Sequence, residues 1–70
     1  MRYEQALMKA RKSAGFNQEV RWVVEDGDYP GDPEGYQVAD EYDMDTFFYG
    51  CLTVAAALPD GRVEEGGVRY

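Results

Sequence analysis

The chain has 70 residues, one cysteine, no histidine and a formal net charge of −7 at pH 7. A chain of this length forms one small domain, residues 1–70, with little room for a deep ligand pocket. The negative charge argues against direct binding to nucleic acid or to anionic membranes, because phosphate groups need Lys and Arg partners.

The first predicted element is a helix from Arg2 to Ala14. The side chains that recur on one face at helical spacing are Tyr3, Ala6, Leu7, Ala10 and Ala14. Glu4 lies in the first turn and cationic side chains lie in the last, which agrees with the helix dipole. Gly15 is predicted to supply the left-handed residue that ends the helix.

A strand is predicted from Gln18 to Glu25, because β-branched and aromatic residues alternate there with other residues. Trp22 is predicted to be the largest core side chain. Asp26–Gly35 is rich in Gly and Pro and is predicted to be a loop. Tyr36–Ala39 is predicted to start a short second strand.

The segment Asp40–Asp45 is compatible with a loop, a continued strand or one helical turn. Phe47–Leu58 fits either a strand or a helix capped by Asp43, and the strand is favoured because a Pro-Asp-Gly turn follows it. That turn predicts a hairpin whose return strand starts at Arg62–Glu64. Val68–Tyr70 can finish this strand after a bulge at Gly66 and Gly67.

These elements run in the order helix, strand, acidic loop, strand, strand, strand. The predicted fold class is therefore α+β, with an N-terminal helix packed on a small antiparallel sheet of three or four strands. No apolar run reaches the ~18 residues of a membrane span. The N-terminus lacks the apolar core of a signal peptide, so a cytoplasmic location in the host cell is expected.

Little in the sequence points to an enzyme, a cofactor or a metal. Cys51 has no His to pair with as a nucleophile, and it is expected to be a buried, reduced thiol. A calcium loop that starts at Asp26 would use Asp26, Asp28, Asp32 and Glu34. Its fifth position is Pro30 and its twelfth is Gln37 in place of a bidentate Glu, so a solvated acidic loop explains the segment better.

The most distinctive feature is an acidic stretch from Trp22 to Gly61. It holds ten Asp and Glu residues and no Lys or Arg, a charge of −10, whereas the rest of the chain carries +3. Carboxylates two residues apart on a strand are separated by about 6.6 Å. That is roughly two phosphate steps of a DNA strand, at about 3.4 Å each. Solubility alone requires less segregation of charge than this.

The acidic stretch also carries tyrosines, which supply rigid contact area at low entropic cost. Such a surface can occupy a basic groove that normally holds nucleic acid. The predicted partner is therefore a host protein with a basic nucleic-acid-binding groove. The candidate partner-binding residues are Asp26, Asp28, Tyr29, Asp32, Glu34, Asp40, Glu41, Tyr42, Asp43 and Asp45.

Through Glu25–Tyr29 and Asp40–Asp45 the chain resembles the small acidic proteins of phages and mobile elements, among them anti-CRISPR proteins and other nucleic-acid mimics. The resemblance implies a non-enzymatic, stoichiometric inhibitor that binds a CRISPR effector complex as a DNA mimic, as a monomer or small homodimer. Such proteins share no common motif, so the resemblance assigns no residue roles. The +3 remainder, centred on the first helix, indicates a single acidic face.

An alternative function is a phage structural or accessory protein that acts as a homo-oligomer. A small sheet leaves edge strands that must be covered or charged. Gln18–Glu25 or Val68–Tyr70 is predicted to pair with its copy across a two-fold axis in this case.

Overall fold

In the described part of the chain, the protein forms a four-stranded antiparallel sheet with a helix on each face. The computed structural model describes residues 1–25, 32–48 and 50–66. The elements are α1 (Tyr3–Asn17), β1 (Arg21–Glu25), β2 (Tyr36–Ala39), α2 (Glu41–Asp45), β3 (Thr53–Ala57) and β4 (Val63–Glu65). The strand order is β2-β1-β3-β4, and every neighbouring pair is antiparallel. The predicted α+β class is therefore confirmed, with four strands.

The long helix α1 packs on the sheet through a stripe of alanines. Ala6, Ala10 and Ala14 are four residues apart and fully buried, and they lie with Val23, Ala55 and Ala57 in one core cluster. Side chains four apart project from the same side of a helix. Because these side chains are single methyl groups, the helix backbone can lie close to the sheet.

The end of α1 differs from the prediction, since Gly15 lies inside the helix. The left-handed residue is Gln18, with φ of 56°, and its backbone N–H donates to the Ala14 carbonyl oxygen. Side-chain bonds stabilise the extra turn. The Asn17 amide donates to the Ser13 carbonyl at 3.0 Å, and the Gln18 amide donates to the Gly15 carbonyl at 2.6 Å.

The opposite face of the sheet has a second core cluster, which α2 covers. Val23 and Val24 follow each other on β1 and therefore point to opposite faces. Val24 packs with Ala39 and Met44, while Trp22 and Phe48 lie at the margin of the cluster. Trp22 is only half-buried, so the prediction that it is the largest core side chain is wrong. Among the described residues, the largest fully buried side chain is Met44.

The Phe47–Leu58 segment contains a strand, as favoured, but only its second half is extended. The segment before β3 is a pair of turns, in which the Phe48 N–H donates to the Asp43 carbonyl at 2.9 Å and the Cys51 N–H to the Phe48 carbonyl at 3.0 Å. Leu52, directly before β3, is exposed. The half-buried Cys51 carries a free thiol.

Strand β3 shows no alternation of buried and exposed residues, because both faces of the sheet are covered. Its three consecutive alanines, 55 to 57, are all buried. Its pairing with β1 skips Val54, which forms a bulge between Thr53 and Ala55.

The predicted hairpin after β3 is confirmed. The Leu58 N–H donates to the Arg62 carbonyl oxygen at 2.8 Å, and Gly61 takes φ of +93°, which favours glycine. The Asp60 carboxylate accepts from the Arg62 backbone N–H at 3.0 Å and from Arg62 Nε at 2.7 Å. These bonds, the backbone one first, lower the pKa of Asp60. Gly67 and Val68–Tyr70 lie outside the described residues.

The strands at the edges of the sheet are β2 and β4. β1 pairs on both sides, so the prediction that Gln18–Glu25 pairs with a copy of itself is wrong. β4 has three residues and carries the exposed Glu64 and Glu65. On β2, the Tyr36 N–H donates to the Met1 carbonyl oxygen at 3.0 Å, which covers part of that edge.

The hydroxyl of Tyr3 links α1 to β4 and should make stability pH-dependent. It donates to Glu65 Oε1 at 3.0 Å, and burial, this bond and the Glu65 charge raise the pKa of Tyr3. A raised pKa stabilises the fold fully below the unfolded value of about 10, and this contribution is lost as pH rises through the folded pKa. We expect Tyr3→Phe to lose stability less steeply than the parent between about pH 9 and pH 11 in urea unfolding. Equal slopes would contradict this role.

Candidate partner-binding surface

Two acidic residues hold α2 in place. The Asp43 N–H donates to Asp40 Oδ1 at 2.8 Å, and the Asp40 N–H donates to Asp43 Oδ2 at 3.4 Å. This reciprocal arrangement is a capping box, and it begins the helix at Glu41. It decides the ambiguous segment Asp40–Asp45 in favour of one helical turn. Both carboxylates are half-buried and are engaged by the helix itself.

The other acidic side chains of α2 face outward. Met44 points into the second core, and successive residues are about 100° apart around a helix. Glu41 and Asp45 are both exposed and one turn apart. They are therefore neighbours on the outer side of α2.

An exposed pair of aromatic rings accompanies these carboxylates. Tyr42 is 68% exposed and Phe47 is 74% exposed. Their ring centroids are 6.4 Å apart with an interplanar angle of 71°, an edge-to-face contact. We call Glu41, Tyr42, Asp45 and Phe47 the acidic aromatic surface.

The sequence does not predict Phe47 as a partner-binding residue, because Phe47 lies in the segment Phe47–Leu58, for which a strand is favoured. The signal that could have found it is the pair Phe47–Phe48 after the short acidic helix. Phe48 packs at the margin of the second core, and the chain turns at this point, which leaves Phe47 in solvent.

The remaining predicted site residues lie before β2. The Asp32 carboxylate accepts from the Glu34 N–H at 2.9 Å, and the Asp32 carbonyl accepts from the Gly35 N–H at 2.9 Å. Glu34 Oε1 lies 3.5 Å from Arg2 Nε in an ion pair whose two side chains are exposed. This pair offsets part of the negative charge of Glu34. Asp26, Asp28 and Tyr29 lie outside the described residues, as does most of the calcium-loop alternative.

The fold turns the segregation of charge along the chain into a segregation in space. Cationic side chains lie on α1, whereas Asp40 and α2 together hold four carboxylates. The two helices cover opposite faces of the sheet. Within the described part of the chain, the α1 residues Lys9, Arg11 and Lys12 take part in no ion pair.

Other kinds of site find no support in the described ranges. In residues 1–25, 32–48 and 50–66, no group of three or more acidic or cysteine side chains is arranged to hold a metal ion. No helix in these ranges is both long and apolar enough to cross a membrane. No family model matches the chain, and no match was found among curated proteins or solved structures. Function must therefore be inferred from the residues of this chain.

The capping role of Asp40 can be tested apart from binding. We expect Asp40→Ala to cost about 0.5–2 kcal/mol of unfolding free energy, because the Asp43 N–H loses its acceptor. Asp40→Asn should recover most of this loss, since Asn also caps helices well. Asp45→Ala, on the exposed side, should stay within about 0.5 kcal/mol of the parent. Urea unfolding followed by circular dichroism measures all three, and equal effects at Asp40 and Asp45 would argue against the cap.

Proposed function

We propose that this protein is a non-enzymatic inhibitor that binds a host nucleic-acid-binding protein through its acidic aromatic surface. The observation that supports this most is the position of Glu41 and Asp45, exposed beside the Tyr42–Phe47 ring pair. These residues belong to a forty-residue stretch with ten carboxylates and no Lys or Arg.

The proposed recognition replaces nucleic acid in a basic groove. Carboxylates take the place of phosphates against Lys and Arg side chains, and their long-range attraction speeds the encounter. Aromatic rings supply apolar contact where bases would otherwise stack. The most specific version is an anti-CRISPR protein that acts as a DNA mimic on a CRISPR effector complex. Its support is the small size and segregated charge of the chain.

Salt dependence tests this proposal. Binding to a purified CRISPR surveillance complex should be tight at about 50 mM salt and clearly weaker at about 200 mM, because phosphate-like contacts are screened. The measurement is a titration at both salt concentrations, with target DNA as competitor. If the protein binds none of the CRISPR surveillance complexes at low salt, the anti-CRISPR version is rejected. The same titration against other proteins with basic grooves then tests the general version.

The alternative, a homo-oligomeric phage structural or accessory protein, requires an edge strand that can pair with a copy. Among the described strands, β2 and β4 are the edges of the sheet, and the other predicted pairing segment, Val68–Tyr70, lies outside the described residues. The exposed Glu64 and Glu65 on β4 disfavour pairing, because charge on an edge blocks strand addition. Light scattering separates the two functions. The comparison is made at about 1 M salt, where the screening length is about 3 Å. Strand-paired assemblies should persist under this condition, whereas the inhibitor should be a monomer or small dimer.

A further inference from the structure

An open groove runs along α1 on the side of the molecule away from α2. Its volume is about 450 Å³, and it is lined by Glu4, Leu7, Met8, Arg11, Lys12 and Gly61. The size falls within the roughly 300–1,000 Å³ of ligand-binding clefts. Met8 is 66% exposed and adds apolar surface to the groove.

Three charged side chains line the groove, the cations Arg11 and Lys12 and the carboxylate of Glu4. Arg11 and Lys12 lie beside Leu7 and Met8, and neither cation has an ion-pair partner in the described part of the chain. A matching occupant presents apolar rings together with carboxylates. The acidic aromatic surface of this same protein has that composition.

We propose that the α1 groove binds the acidic aromatic surface of a second copy of this chain. The Tyr42–Phe47 pair packs over Leu7 and Met8, and Asp45 with Glu41 faces the cationic rim. This contact goes beyond the proposed function, because the groove lies outside the proposed target-binding surface. The two interactions nevertheless compete, since both use the acidic aromatic surface.

The placement of the two surfaces determines the type of assembly. α1 and α2 cover opposite faces of the sheet, so one pair of copies makes only one such contact. Each added copy leaves its own groove open, which gives a head-to-tail chain and not a closed two-fold dimer. The contact involves few residues, so we expect weak association that grows with protein concentration.

Sedimentation velocity over a range of protein concentrations tests the proposal. At about 0.01 M salt, where the screening length is about 30 Å, the average mass should rise with concentration beyond that of a dimer. At about 1 M salt the protein should be monomeric. A parent protein that stays monomeric at low salt and high concentration overturns the proposal.

Charge reversal in the groove is the decisive variant. Arg11→Glu with Lys12→Glu should weaken self-association at least tenfold. The matched control, Arg2→Glu with Lys9→Glu, gives the same net charge of −11 but changes residues that do not line the groove. It should weaken association less. Equal loss in both variants means that net repulsion alone is at work, and this overturns the proposal.

Mixing complementary variants gives a second, independent readout. Arg11→Glu with Lys12→Glu makes the groove acidic, and Glu41→Lys with Asp45→Lys makes the other surface basic. Each variant alone should be monomeric, whereas an equimolar mixture should associate again. A mixture that stays monomeric overturns the proposal. The groove variant should keep its full affinity for the inhibited target, so failure here is distinguishable from failure of the proposed function.

Discussion

Replacing Glu41 and Asp45 together by lysine should weaken target binding at least tenfold, or about 1.4 kcal/mol. Each carboxylate alone contributes about 0.2–1 kcal/mol at an exposed rim. Reversal adds repulsion from the basic groove to the lost attraction. The fold should survive, because both side chains are exposed while the Asp40 cap and the Met44 anchor stay in place.

The control for this variant reverses two acids elsewhere. Glu19→Lys with Glu64→Lys gives the same net charge of −3, but both positions lie outside the acidic stretch. Its target affinity should stay within about threefold of the parent if local charge and not net charge governs binding. Affinity is measured by titration calorimetry and folding by circular dichroism. If the Glu41 and Asp45 variant is folded and inhibits fully, the acidic aromatic surface is only a solvated face.

The capping box changes which acids are useful for this test. Asp43 and Asp45 look equivalent in the sequence, yet Asp43 bonds the backbone of Asp40 whereas Asp45 is exposed. A substitution at Asp43 mixes loss of the helix with loss of charge. Glu41 and Asp45 separate these effects.

Met44→Ala should be the most destabilising single substitution in α2. Met44 is 2% exposed and joins α2 to Val24 and Ala39, and truncation of a buried Met costs about 2–5 kcal/mol. A domain of this length has a total stability of only about 4–10 kcal/mol. The urea concentration at which half of the variant is unfolded should therefore be well below that of the parent.

Met8→Ala is the matched control, because it makes the same chemical change at a position that is 66% exposed. Its unfolding free energy should stay within about 0.5 kcal/mol of the parent. Urea unfolding compares the two variants directly. Similar midpoints for both would mean that α2 is not anchored through Met44.

The parts of the fold that the sequence predicted are those with strong local signals. The buried face of α1 follows from helical spacing of Ala6, Ala10 and Ala14, and the hairpin follows from Pro59-Asp60-Gly61. Because both faces of the sheet are covered, buried and exposed residues do not alternate along β3, and the sequence therefore did not show where this strand begins. The helix α1 continues beyond Gly15, where the side chains of Asn17 and Gln18 hydrogen-bond to backbone carbonyl groups of its last turn.

The candidate surface was predictable in its charge but not in its geometry. Asp40 and Asp43 have the spacing of a capping box, but Asp43 stands where the usual sequence signature has Glu or Gln. The exposure of Phe47 depends on the turn that follows α2 and on which of two adjacent rings reaches the second core. Such a choice depends on tertiary packing, which local periodicity does not report.

Among the described residues, the sheet separates two core clusters that share no buried side chain. Substitutions in separate, non-touching sets of residues usually add independently. Under the proposed function, the α2 side can therefore change in sequence as the target changes, while the alanine-lined side keeps the scaffold constant. A lineage built on this fold would show rapid change in one half of its interior and near-constancy in the other.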